Sequence, residues 1–118
     1  MKLSIFTLDT PPISISEIHY KKIFFNNHVY VAGKISGLPN WEDNFIRVEK
    51  FVASQSGFPM SPRILPPHMS QQAYMDICFS FVRNCNAVIF LKNWKDSLGA
   101  VAEHAYAIKI ERTILYEE

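Results

Sequence analysis

HVYVAGKISGLPNWEDNFIRVEKFVAS, residues 28–54, holds a strand, a turn-rich loop and a helix in immediate succession. Val29-Tyr30-Val31-Ala32 is a run of β-branched and aromatic residues that ends at Gly33. The following loop, Lys34 to Asn40, is punctuated by Gly37 and Pro39. Apolar residues then recur at spacings of three and four, at Trp41, Phe45, Val48, Phe51 and Val52, which predicts a helix from about Trp41 to Ser54. Asn40 is its expected N-cap and Gly57 its expected stop.

Downstream the same alternation continues. Phe58-Pro59-Met60 contains a proline, so a strand there is brief or at a sheet edge. Ser61 to His68, with Pro62, Pro66 and Pro67, is a loop. Ser70 caps a helix reaching about Asn84, with Tyr74, Ile77, Cys78, Phe81, Val82 and Cys85 on its inner face. Ala87 to Leu91 is a continuous apolar run suited to a strand covered on both sides. Ser97 to Ile110 reads as a third helix and Thr113 to Tyr116 as a last strand. Strands separated by helices of this length imply crossover connections and a mostly parallel sheet between two helical layers, an α/β three-layer fold. Residues 1–27 show no such order. Ile13 and Ile15 alternate like a strand, Lys21 to Phe25 suggests another, and the segment is taken as an N-terminal extension to a domain spanning 28–118.

Composition narrows the class of function. The 118 residues suit one domain, 48% of them hydrophobic, and 12 basic against 11 acidic residues leave no basic excess for a nucleic acid or an anionic membrane. No apolar run approaches the roughly 18 residues of a membrane span, and no secretory leader is read at the N-terminus. Cys78 and Cys85, seven positions apart on one helix, would be separated by about 10 Å along its axis, too far for a disulfide. Reduced thiols and a cytoplasmic setting are expected, with a small-molecule or protein partner and no metal.

In open parallel sheets ligands bind beyond the carboxyl ends of the strands, which directs attention to the loops after Ala32 and Leu91. The third helix, Ser97-Leu98-Gly99-Ala100-Val101-Ala102-Glu103-His104-Ala105-Tyr106-Ala107, is small and apolar almost throughout. With Leu98, Val101, Ala105 and Ile108 as the core stripe, Glu103 lies roughly opposite, with Gly99, Ala100, Ala107 and Ile110 as same-face neighbours, either an ordinary solvated carboxylate or one with room for a ligand beside it. Ser97 at the helix start offers a hydroxyl and free amides, serving as a plain N-cap or an anion site. Gly33 at a strand end allows close approach of a ligand or simply makes a turn; Gly33 to Gly37 fits neither the dinucleotide fingerprint nor the P-loop, and no cofactor is implied. Tyr30 in a central strand suits packing, and Trp41 and Trp94 suit packing or a lid.

Taken together, Tyr30-Val31-Ala32-Gly33, Cys85 to Leu91, and Ser97-Leu98-Gly99 followed by Glu103 resemble the nucleoside 2-deoxyribosyltransferase superfamily, and most of all an uncharacterised bacterial and phage domain family within it. The resemblance runs from His28 to Tyr116. It implies a Rossmann-like, flavodoxin-like fold and a nucleoside or nucleotide as the small-molecule partner. Glu103 would then be the nucleophile at the anomeric carbon of a 2′-deoxyribose, Tyr30 the residue that orients its carboxylate, and Ser97 the phosphate-binding serine of a 2′-deoxynucleoside 5′-phosphate N-hydrolase. Gly33 and Gly99 would complete the substrate site. A homo-oligomer is implied as well. The superfamily's second carboxylate falls on Cys78, and Asn86 replaces a common Asp, so leaving-group protonation passes to water, Asp96 or the substrate's phosphate. The same departure keeps open a catalytically inert nucleotide-binding or phage-host interaction module.

Overall fold

The computed structural model describes all 118 residues. In chain order the elements are β1 (Leu3–Ile5), β2 (Ile13–Ser14), α1 (Tyr20–Phe24), β3 (His28–Ala32), α2 (Trp41–Ser54), β4 (Phe58–Met60), α3 (Gln71–Asn84), β5 (Ala87–Phe90), α4 (Leu98–Lys109) and β6 (Thr113–Glu117). Single 3-10 turns lie at Glu17–His19, Pro62–Ile64 and Trp94–Asp96. One sheet holds all six strands in the order β2-β1-β6-β5-β3-β4. The four strands β4, β3, β5 and β6 run parallel, β1 adds antiparallel to β6, and β2 adds antiparallel to β1. The expected helices and the parallel strands are present, and β4, which carries Pro59, is an edge strand, where a missing amide breaks no ladder.

Alternation along the strands builds two cores. Val29 and Val31 of β3 and Ala87 and Ile89 of β5 face α1 and α2, where they meet Phe24, Phe45, Val48 and Val52. Tyr30 and Ala32, with Val88 and Phe90, face α3 and α4, where they meet Cys78, Val82 and Ala107. Successive strand residues point to opposite sides, so a single sheet sealed on both faces needs runs that are apolar at every position, as Val29 to Ala32 and Ala87 to Leu91 are.

Residues 1–27 differ from the sequence reading. They are not an appendage: β1 pairs with β6 at Leu3↔Glu117, Ser4↔Tyr116 and Ile5↔Leu115, and Leu3, Tyr20 and Phe24 are fully buried in the first core. Tyr20–Phe24 is a helical turn rather than a strand, because its aromatic side chains at positions 20 and 24, one helical turn apart, both reach Phe51 of α2. Asn40 stands at the N-cap of α2 in the left-handed region, with no side-chain cap bond.

Candidate functional site

The chain leaves β3 toward β4 on one side and returns to β5 on the other, so the loops after β3 and β5 diverge between adjacent strands at the sheet's carboxyl edge. This is the place where an α/β sheet opens a crevice. Two bonds hold the loops together: Leu91 N–H donates to Ala32 O at 2.8 Å and Lys34 N–H to Asn93 Oδ1 at 3.0 Å. Above them lies a cleft of about 370 Å³, walled by the β3 loop (Gly33, Lys34), by α3 (Tyr74, Met75) and by the start of α4 with Glu103 in its depth.

Glu103 is 4% exposed. The core stripe expected for α4 is therefore inverted: Leu98 and Val101 are 91% and 40% exposed, while Ala100, Glu103 and Ala107 face inward. Hydropathy favoured the larger side chains as the buried set. Close packing favours the small ones, because α4 lies against α3 at a distance where a Cβ on Gly99 would stand 3.2 Å from Met75 Sδ. A carboxyl so placed loses hydration. Burial pushes the Glu103 pKa up to about 7, and the Tyr30 hydroxyl beside it, which favours the charged form, offsets part of that shift.

Tyr30 Oη and Glu103 Oε2 are both buried with no hydrogen-bond partner. The two groups lie near enough for the phenol to favour the carboxylate, yet without a hydrogen bond of normal geometry, so the pair keeps donor and acceptor capacity for a ligand's polar groups. Burial, with Glu103 and Cys78 nearby, keeps the Tyr30 phenol un-ionised. Cys78 is buried beside Tyr30, Tyr74 and Glu103, its pKa pushed up to about 11 chiefly by burial, so at neutral pH it is a protonated thiol. Asp76 is exposed on the opposite side of α3. Cys78 and Cys85 are both free thiols.

The remaining residues singled out from sequence divide by role. Ser97 lines the cleft, and its Oγ accepts the Ala100 amide at 3.1 Å, so it is an N-cap whose hydroxyl keeps its own proton to donate. The amides of Leu98 and Gly99 precede the intrahelical ladder. Gly33 also lines the cleft, and what forbids a side chain there is Leu91: a Cβ on Gly33 would lie 2.5 Å from Leu91 Cδ1. Gly33→Ala is expected to destabilise the fold by about 1–3 kcal/mol, read as a lower urea midpoint at unchanged slope. Asn86 is remote from the cleft, at the opposite end of β5, where its Oδ1 accepts the His28 amide at 2.8 Å. Sequence reasoning missed Tyr74, Met75 and Gln71, all lining the cleft from α3; their helical spacing reads only as core and surface.

No curated protein sequence matches the chain. Among solved structures, a 2-desoxiribosyltransferase from Leishmania mexicana is similar at 19% identity with a TM-score of 0.62 over 75% of this chain. The match spans 62% of that protein's length, and at this identity it shows a shared α/β, Rossmann-like fold. The sequence model of a domain of unknown function, DUF4406, matches residues 27–116, from the start of β3 almost to the end of β6, and the chain belongs to that family.

Proposed function

We propose that the Glu103 cleft binds a 2′-deoxynucleoside or its 5′-phosphate and cleaves the N-glycosidic bond. The observation that carries this reading is the buried Glu103 carboxyl with a pKa near 7, lining a nucleotide-sized cleft beside the buried Tyr30 hydroxyl. The solved deoxyribosyltransferase of the same fold supports the choice of substrate class. In the proposed step an ionised Glu103 oxygen bonds to C1′ as the C1′–N bond breaks, its electron pair leaving with the base, which takes up one proton. Water, or a second base, then displaces Glu103 from the anomeric carbon. Asp96 lines the cleft and is a candidate proton source alongside water and the substrate's phosphate. The Ser97 hydroxyl, the Leu98 and Gly99 amides and Lys34 supply donors for a phosphate.

Incubating the protein with deoxynucleoside 5′-phosphates and following free base by chromatography tests the reading; no base above a Glu103→Gln control refutes it. Tyr30→Phe is expected to move the rising limb of the pH–rate profile to higher pH, because it removes the group that favours the Glu103 carboxylate.

A second reading, a nucleotide-binding module without turnover, is favoured by Cys78 in place of a carboxylate, since a thiol with a pKa near 11 is a poor acid for a departing base. Calorimetric binding without base release would select it. A homo-oligomer belongs to either reading. The exposed apolar side chains of Leu98 and Val101 on α4 support it, and light scattering at micromolar concentration is expected to give more than the 13.6 kDa of one chain.

A further inference from the structure

A second cleft, of about 510 Å³, lies on the other side of α4, over β1 and β6. Its floor is aromatic. Trp94 stacks on His104 with ring centroids 4.2 Å apart and on Tyr116 at 6.0 Å, and Phe6 meets the His104 ring edge-on at 6.2 Å. His104 Nε2 and Tyr116 Oη are hydrogen-bonded at 2.6 Å, which fixes the two rings as a unit. The outer wall is the connection from β1 to β2, where the Thr7 and Thr10 hydroxyls are hydrogen-bonded to each other.

The charge on this cleft is of one sign. Lys92 and Lys95 stand at its rim, both exposed and neither in an ion pair, and no carboxylate lines the cavity. Burial, together with Lys95, lowers the His104 pKa, so at neutral pH the imidazole contributes a ring face and the lysines carry the positive charge. Aromatic surface, two ammonium groups outside any ion pair, of which Lys95 Nζ lies 5.8 Å over the Trp94 ring, and a fringe of hydroxyls are complementary to a flat ring bearing an anion.

We propose that this cleft is a second binding site, for a planar aromatic anion packed on the Trp94–His104–Tyr116 floor with its carboxylate or phosphate between Lys92 and Lys95. It goes beyond the reading of the Glu103 cleft and uses none of its residues. Glu103 and His104 are neighbours on α4 facing different clefts, and the Trp94–Asp96 turn gives Trp94 and Lys95 to one cavity and Asp96 to the other.

The two tryptophans make the test direct, because only Trp94 lies in the cleft. The Glu103→Gln protein is titrated with 2-naphthoate and, separately, with adenosine 5′-monophosphate while ¹H–¹⁵N spectra are recorded. Saturable shifts of the Trp94 indole and of the Thr7, Thr10 and Lys95 amides are expected with at least one probe, the Trp41 indole staying fixed. The tighter of the two probes at these signals tells a free aromatic acid from a nucleotide as the source of the anion. The neutral isostere 2-naphthalenemethanol is expected to bind more weakly, and Lys92→Gln/Lys95→Gln to weaken the anion by about tenfold or more. Shifts confined to Gly33, Ser97 and Gly99, equal binding of the neutral isostere, or unchanged affinity in the double variant would overturn the proposal. None of these readouts depends on base release, so its failure and that of the glycosidic reading are distinguishable.

Discussion

Glu103→Gln is expected to abolish base release from a deoxynucleoside 5′-phosphate, by roughly 10³-fold or more, while leaving nucleotide binding within a small factor of the parent. The amide keeps the shape of the carboxyl and can still hydrogen-bond a sugar hydroxyl, but it cannot serve as an anionic nucleophile. Initial rates and calorimetric titrations on the same two proteins check both halves of the statement. In the parent, kcat/KM is expected to rise with pH through about 7, where Glu103 ionises in the folded protein.

The same substitution carries a stability signature that does not require a substrate. Burial raises the Glu103 pKa from its ordinary value of 4.5 to about 7, so the folded state holds this proton more tightly than the unfolded chain does. Its contribution to stability is fully present below pH 4.5 and is lost as pH rises through 7. The difference amounts to about 3 kcal/mol at most. Urea unfolding across pH 5 to 8 is expected to show a decline in the parent that the Gln variant lacks, and parallel curves for the two proteins would refute a buried, proton-retaining carboxyl.

Deleting residues 1–27 is expected to leave a chain that does not fold cooperatively. Leu3, Tyr20 and Phe24 are lost from the first core, and each fully buried side chain of this kind contributes about 1.5–3 kcal/mol. Their sum is comparable to the whole stability of a domain this size, about 5–15 kcal/mol. The deletion also strips β1 from β6 and leaves an apolar strand edge open to aggregation. A sigmoidal urea transition by circular dichroism in the truncated protein would show instead that the 28–118 region holds its core unaided. Phe24→Ala in the full chain, expected to cost about 3–5 kcal/mol, isolates the packing contribution.

Most of the architecture is legible in local pattern. The apolar spacings from Trp41 to Val52, the run Ala87 to Leu91 and the caps Ser70 and Ser97 have local causes, and α2, α3 and α4 begin within a residue of the expected places. Residues 1–27 resist that kind of reading. β1 is three residues long and β2 two, too short for periodicity, and the strand that ties β1 to the rest of the sheet, β6, lies more than a hundred positions away. The aromatic residues of α1 show no strong pattern until α2 is present to receive them.

At the candidate site the division is sharper. Sequence by itself directed attention to the loops after Ala32 and Leu91, because strand and helix periods place them at the carboxyl edge of a parallel sheet, and marked Ser97 as a helix cap; Glu103 and Tyr30 received their site roles from resemblance alone. Which face of α4 is buried was decided only by tertiary structure. The choice between Leu98 with Val101 and Ala100 with Glu103 depends on how closely α3 approaches, and that distance is set by side chains on two elements at once. Burial, and with it the unusual proton affinity of Glu103, is a property of the assembled layers: dehydration comes from neighbours that are distant in sequence, and no local pattern encodes it.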